Sequence, residues 1–199
     1  MENVTVKVLD NSFISACITD IHFINLLGLC SCYKLVSSPD VQSESRNLIG
    51  KKIKGIELTK EKIEEAYKDI KILDISKHQK YDELMKYLKN RYPYLHKGEL
   101  SIYLITVLQI AEGECFFITD DMQFRKKIPA IKDDKIFKNI LGYEIKEIKI
   151  GGTIGFIKKL HEKKMLTDDD IEKIILNLRD GTFHITDELI AYLRGNPWK

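Results

Sequence analysis

Apolar and polar residues alternate over positions 4–9, where Val4, Val6 and Val8 are separated by Thr5 and Lys7. This is the period-two pattern of a strand rich in β-branched side chains. The run stops at Asp10-Asn11-Ser12, residue types that turn a chain or cap a helix. A helical pattern starts at Phe13 and is resumed over 21–29, apolar all round, and positions 33–36 predict a short strand. Pro39-Asp40 opens a helix, because proline's missing N–H costs nothing in a first turn. Val41, Glu44 and Leu48 then share one helical face. Residues 50–55, bounded by glycines, break that helix. A polar helix capped by Thr59 is expected over 59–69, a strand over 70–75 and a helix over 76–88.

After a loop at 91–97 containing Pro93, Gly98-Glu99 opens a helix over 100–111 that is apolar at nearly every position and is expected to be central and buried. Gly113 ends it. Residues 115–119 read as a buried strand that stops at Asp120-Asp121, followed by a helix over 122–128 ended by Pro129. A short helix at 133–141, a strand at 143–150, the loop Gly151-Gly152-Thr153 and a helix at 154–165 come next. Thr167 with three aspartates caps a helix over 171–179, and Thr186 caps a last one over 187–193. Strands separated by helices predict an α/β protein, a three-layer α/β/α arrangement with a central parallel sheet of four to five strands. The expected domain covers residues 1–150, with 151–199 a C-terminal helical extension packed on it.

Composition narrows the class. A chain of 199 residues, 44% hydrophobic and 31% charged, reads as one soluble globular domain with an appendage. No apolar run reaches eighteen residues, and no basic and apolar leader precedes the first strand, so a cytoplasmic protein without a membrane span is expected. Cys17, Cys30, Cys32 and Cys115 sit in apolar stretches and read as reduced thiols rather than disulfides or zinc ligands. A net charge of +2 announces no overall nucleic-acid-binding field. The basic residues nevertheless cluster at 51–54, 125–127 and 158–164, each a solvated helix face or, functionally, a phosphate contact.

The acids change the picture most. Asp10 and the Asp120-Asp121 pair each follow a strand, Glu99 opens the buried helix and Glu44 lies on a partly apolar face. Singly, each has a plain role: helix caps for Asp10, Asp120 and Asp121, a favourable helix start for Glu99, and a surface position for Glu44. Together, carboxylates gathered at the carboxyl ends of parallel strands repel one another, and Mg²⁺ or Mn²⁺ relieves that repulsion. Such ions activate water and stabilise charge on a phosphodiester.

The ordered set of the strand ending in Asp10-Asn11-Ser12, the segment from Pro39 to Glu44, Gly98-Glu99 before an apolar helix, and Phe117-Ile118-Thr119-Asp120-Asp121 with Phe124-Arg125 resembles the PIN-domain nucleases. Gly152-Thr153-Ile154-Gly155 and the Lys-rich tail resemble one PIN-like branch with a helical extension. The resemblance implies that Asp10, Glu44, Glu99 and one of Asp120 and Asp121 are catalytic and bind Mg²⁺ or Mn²⁺. The phase of the last motif favours Asp121. Asn11, Ser12 and Thr119 would support those ligands, and Arg125, Lys126, Lys158 and Lys159 would hold RNA. Asn11 stands where the family commonly has Thr, and Glu99 where many toxin members have Asp.

The expected activity is metal-dependent endoribonucleolytic hydrolysis of RNA, like that of toxins in toxin–antitoxin pairs, with a small antitoxin and a second copy of the chain as partners. The alternative is a catalytically weak PIN-fold module that binds protein or nucleic acid. A phosphoacceptor receiver domain is disfavoured, because its acid pair follows the first strand and here the pair comes late.

Overall fold

In this computed structural model the described residues are 5–21, 33–53, 56–108, 114–145, 147–181 and 183–195. The alternating run at the start forms β1 (Thr5–Leu9), and its register places Val6 opposite Lys34 and Cys115, and Val8 opposite Val36 and Phe117. The other strands of the main sheet are β2 (Lys34–Ser37), β5 (Lys71–Ile72), β6 (Glu114–Ile118) and β7 (Lys149–Gly151). Their order is β5-β2-β1-β6-β7, and every pairing is parallel. The fold is therefore α/β, a five-stranded parallel sheet between layers of helices.

The helices are α1 (Asn11–Thr19), α2 (Pro39–Arg46), α3 (Lys60–Tyr67), α4 (Tyr81–Arg91), α5 (Lys97–Val107), α6 (Met122–Asp133), α7 (Lys135–Leu141), α8 (Thr153–Glu162), α9 (Asp168–Asp180) and α10 (Asp187–Leu193). Strand alternation assigns the layers. Phe117 faces Tyr103 of α5 and Phe124 of α6. Its neighbour Phe116 faces the opposite way, sharing the Lys7 ammonium with Phe156 of α8, whose ring also packs edge-on to Phe13 of α1. One core takes in both faces, including Phe156, Ile171, Ile175, Leu178 and Leu193 from beyond β7. The helices after β7 are tied back by the Asn177 side-chain amide donating to the Ile21 carbonyl (2.8 Å) and the Phe183 amide donating to Asp20 (3.2 Å).

Four local expectations are corrected. Pro129 does not stop its helix: α6 runs through it to Asp133, because Pro129 is exposed while Phe124, Ile128 and Ile131 hold the buried stripe. The strand expected over 143–150 shrinks to Lys149–Gly151, and that over 70–75 to Lys71–Ile72, since each is an edge of the sheet with only one partner. The break at 50–55 contains β3 (Lys52–Ile53), which pairs antiparallel with β4 (Ile56–Glu57). Gly50 takes the left-handed conformation (φ 79°) ahead of this hairpin. The apolar continuation at 22–29, Cys30, Cys32 and Gly113 lie outside the described residues. Cys17 is buried, Cys115 half-buried, and neither is in a disulfide. No helix among the described residues is long and apolar enough to cross a membrane.

Candidate functional site

The parallel register brings the carboxyl ends of β2, β1, β6 and β7 together, and backbone hydrogen bonds prolong the ladder past them. The Asp10 amide donates to the Ile118 carbonyl (3.1 Å), and the Thr119 amide to the Gly151 carbonyl (3.0 Å). The Ser37 hydroxyl donates to the Leu9 carbonyl (2.8 Å). Asp10 thus emerges from the middle of the sheet, buried, with its Oδ2 accepting from the hydroxyls of Ser12 (2.7 Å) and Thr119 (2.8 Å). Burial pushes the Asp10 carboxyl above its ordinary range, and those hydroxyls counteract it.

Glu44 arrives on α2, whose N-cap Ser38 accepts from the Val41 amide (3.2 Å) and shares a 2.6 Å hydrogen bond with Ser101 of α5. That clasp brings Glu44 to the start of α5, where its Oε1 accepts from the Gly98 amide (3.1 Å). The approach is close: a Cβ on Gly98 would sit 2.6 Å from Glu44 Oε1 and push that carboxylate away. Glu99 is buried, its Oε2 accepting from the His96 amide (2.8 Å). Burial, then repulsion by Asp121 and Asp10, pushes its carboxyl up to about 8. Glu44 is also raised, first by burial, with Asp10 adding to it. These couplings join Asp10 to Glu44 and Glu99, and Glu99 to Asp121. Four acids from β1, α2, α5 and the start of α6 thus share one electrostatic neighbourhood.

The acid pair divides its work. Asp120 turns to α8, where both the amide (2.9 Å) and the hydroxyl of Thr153 donate to it. Asp121 caps α6, accepting from the Phe124 amide (2.8 Å), on the side of Glu99. Ser12 and Thr119 stand against Asp10, and Ser12 also accepts from the Asp120 amide (3.0 Å). Asn11 points elsewhere: its Oδ1 accepts from Ser15 (3.2 Å) and Ser45 (2.6 Å), and Ser45 meets the Tyr67 hydroxyl (2.7 Å), so Asn11 ties α1 to α2 and α3.

The basic residues separate as well. Arg125 lies near Asp120, 3.5 Å from where a Gly152 Cβ would stand, and Lys126 is exposed on α6. Lys158 is buried with its ammonium 5.8 Å from the Tyr192 ring centroid, a packing position rather than a surface one. Lys159 is exposed and lies 5.0 Å from the Phe116 ring centroid, in the second half of α8. The Gly98 amide and Thr153 hydroxyl were not foreseen as site groups. The only sequence signal for either was its glycine-bearing helix start.

All-oxygen carboxylate donors in mutual repulsion suit a hard divalent cation. Among the described residues no three His, Cys, Asp or Glu side chains stand close enough to hold an ion between them. Mg²⁺ does not demand that, since it keeps several waters and takes one or two carboxylates plus substrate phosphate. The donors therefore fit in chemistry. Comparison of the chain with family models, with curated proteins and with solved structures found no match.

Proposed function

We propose that this chain is a metal-dependent endoribonuclease of the PIN type, acting on RNA phosphodiester bonds at the acidic end of the sheet. One observation carries the reading: at the carboxyl ends of parallel strands, where α/β sheets place their ligands, Thr119 bonds both the Asp10 carboxylate and the Asp121 amide, while Glu44 is held by the Gly98 amide next to Glu99. These four acids would hold Mg²⁺ or Mn²⁺, which would supply charge neutralisation at the scissile phosphate and a more acidic water. Ser12 and Thr119 fix Asp10 by hydrogen bonds to one of its oxygens. The Gly98 amide fixes Glu44 in the same way. Glu99, its carboxyl pushed up to about 8 chiefly by burial, is the acid that holds a proton near neutrality. Glu99 would have to give up that proton to ligate a cation.

The test is Mn²⁺-dependent cleavage of generic single-stranded RNA by the purified chain. Asp10→Asn is expected to slow cleavage by more than about a hundredfold, the scale of losing metal-borne charge stabilisation. Equal cleavage by wild type and Asp10→Asn refutes the assignment.

The second reading is a catalytically weak binding module. It is favoured by the internal hydrogen bond each carboxylate makes. Bound but uncut RNA in the same assay selects it. The nuclease reading extends to toxin-like action, with a small antitoxin covering the acidic end and a second copy of the chain as partners. Co-purification of the chain with its genomic neighbour tests the first partner, and its solution mass tests the second.

A further inference from the structure

A groove of about 890 Å³ opens between the C-terminal turn of α4, the loop into α5, α6 and the start of α7. It adjoins the acidic end along two segments. Helix α6 carries Asp121 at its N-cap and Lys127 six residues later, about 9 Å along the axis at the helical rise of roughly 1.5 Å per residue. The loop bearing Tyr94 leads directly to His96, whose amide holds Glu99.

The lining has a specific chemistry. Tyr94 is 46% exposed and meets Tyr92 edge-to-face at 6.4 Å between centroids. The Lys127 ammonium lies 5.4 Å from the Tyr94 ring centroid, and Arg91 and Lys135 line the same groove. Of the acids present, Asp134 is turned inward, accepting from the Tyr87 hydroxyl (2.8 Å) and the Ile136 and Phe137 amides (2.9 and 3.1 Å). Asp134 also pairs with Arg91 (Oδ2 to Nε 4.0 Å), offsetting part of that charge, so Lys127 and Lys135 are the cations left to a ligand, with Asp133 the exposed acid of the lining. The groove thus offers an open aromatic ring flanked by positive charge.

We infer that this groove is a track for single-stranded RNA, with one base stacking on Tyr94 and its neighbouring phosphates lying against Lys127 and Lys135. The inference deepens the nuclease reading and rests on it for its purpose. An unpaired base can lie on an aromatic face while a duplex keeps its bases stacked inside, so the groove selects single strands. An acidic peptide would use the cations and leave Tyr94 idle.

The test is fluorescence anisotropy with a labelled mixed-sequence RNA of about 12 nucleotides, using the full chain in EDTA so that cleavage cannot intervene. Tyr94→Ala should weaken binding about tenfold, while Tyr94→Phe, which keeps the ring, should bind like wild type. Lys127→Glu should weaken binding and lower the salt dependence. The same RNA annealed to its complement should bind at least about tenfold more weakly. Wild-type affinity in Tyr94→Ala, equal binding of duplex, or displacement by polyglutamate as effective as by RNA would overturn the inference. Tyr94-dependent binding without Mn²⁺-dependent cleavage keeps the groove and removes the nuclease. Cleavage with a KM unmoved by Tyr94→Ala keeps the nuclease and removes the groove.

Discussion

Glu99 carries a clear electrostatic consequence of the site, because it is buried and faces two other acids. Its folded carboxyl lies near 8 against an ordinary 4.5, so between those values the folded chain binds a proton that the unfolded chain has released. Stability therefore falls as pH rises from about 4.5 to about 8 and levels off above, the opposite of a salt-bridged carboxylate. Urea unfolding followed across this window, without divalent cations, should show that decline. Glu99→Gln should remove the Glu99 contribution and leave the slope that the raised Asp10 and Glu44 contribute in the same direction. An unchanged slope in Glu99→Gln would assign the proton elsewhere. Gly98 makes the companion case by shape. A methyl there would meet the Glu44 carboxylate at 2.6 Å, so Gly98→Ala must displace it and lose the amide's grip. A loss of about 10- to 100-fold in Mn²⁺ affinity by calorimetry, with the fold retained, is expected when such a supporting contact is removed.

Among the elements, what the sequence made legible was whatever is set by local pattern. The β-branched alternation of β1 ends at Asp10, and the Thr59, Thr167 and Thr186 caps fall where side-chain oxygens accept from the first-turn amides. The acids at strand ends and helix starts could be picked out for the same reason. What was not legible depends on partners distant in the chain. Asp120 and Asp121 are alike in sequence, yet Thr153 takes the first and the α6 cap with Glu99 the second. Lys158 reads as a surface lysine until Tyr192 covers it. Pro129 reads as a helix end because the rule is local, whereas burial of Ile128 and Ile131 carries α6 across it. Without an amide at Pro129 the Arg125 carbonyl loses its helical donor, a defect worth up to roughly 3 kcal/mol against alanine. Pro129→Ala is therefore expected to raise Tm by several degrees, read by calorimetry. A lower Tm would mean that proline's stiffness in the unfolded chain outweighs the missing hydrogen bond.

For the whole molecule, the sheet sets acids and cations apart. Its carboxyl end carries Asp10, Glu44, Glu99 and Asp121, and Lys7, Lys149 and Lys159 gather around the Phe116 ring within the strands and late in α8. The acidic end is thus left to repel itself in the cation-free chain, and folding tolerates this through the hydroxyls and amides that grip each carboxylate. A ligand that removes the repulsion in the folded state alone must stabilise the whole fold by linkage. At a hundred times its dissociation constant, a cation adds about 2.7 kcal/mol. For a chain of this size that is about 5 °C or more in Tm. Mn²⁺ should produce this shift in wild type and not in Asp10→Asn. The shift should grow from pH 6 to pH 8, because the Glu99 proton competes with the cation below about 8. Asp10→Asn should itself melt no lower than wild type in EDTA, since the substitution removes a desolvated carboxylate. A wild-type Tm unmoved by millimolar Mn²⁺ at pH 8 would leave the acids with only their capping and packing roles.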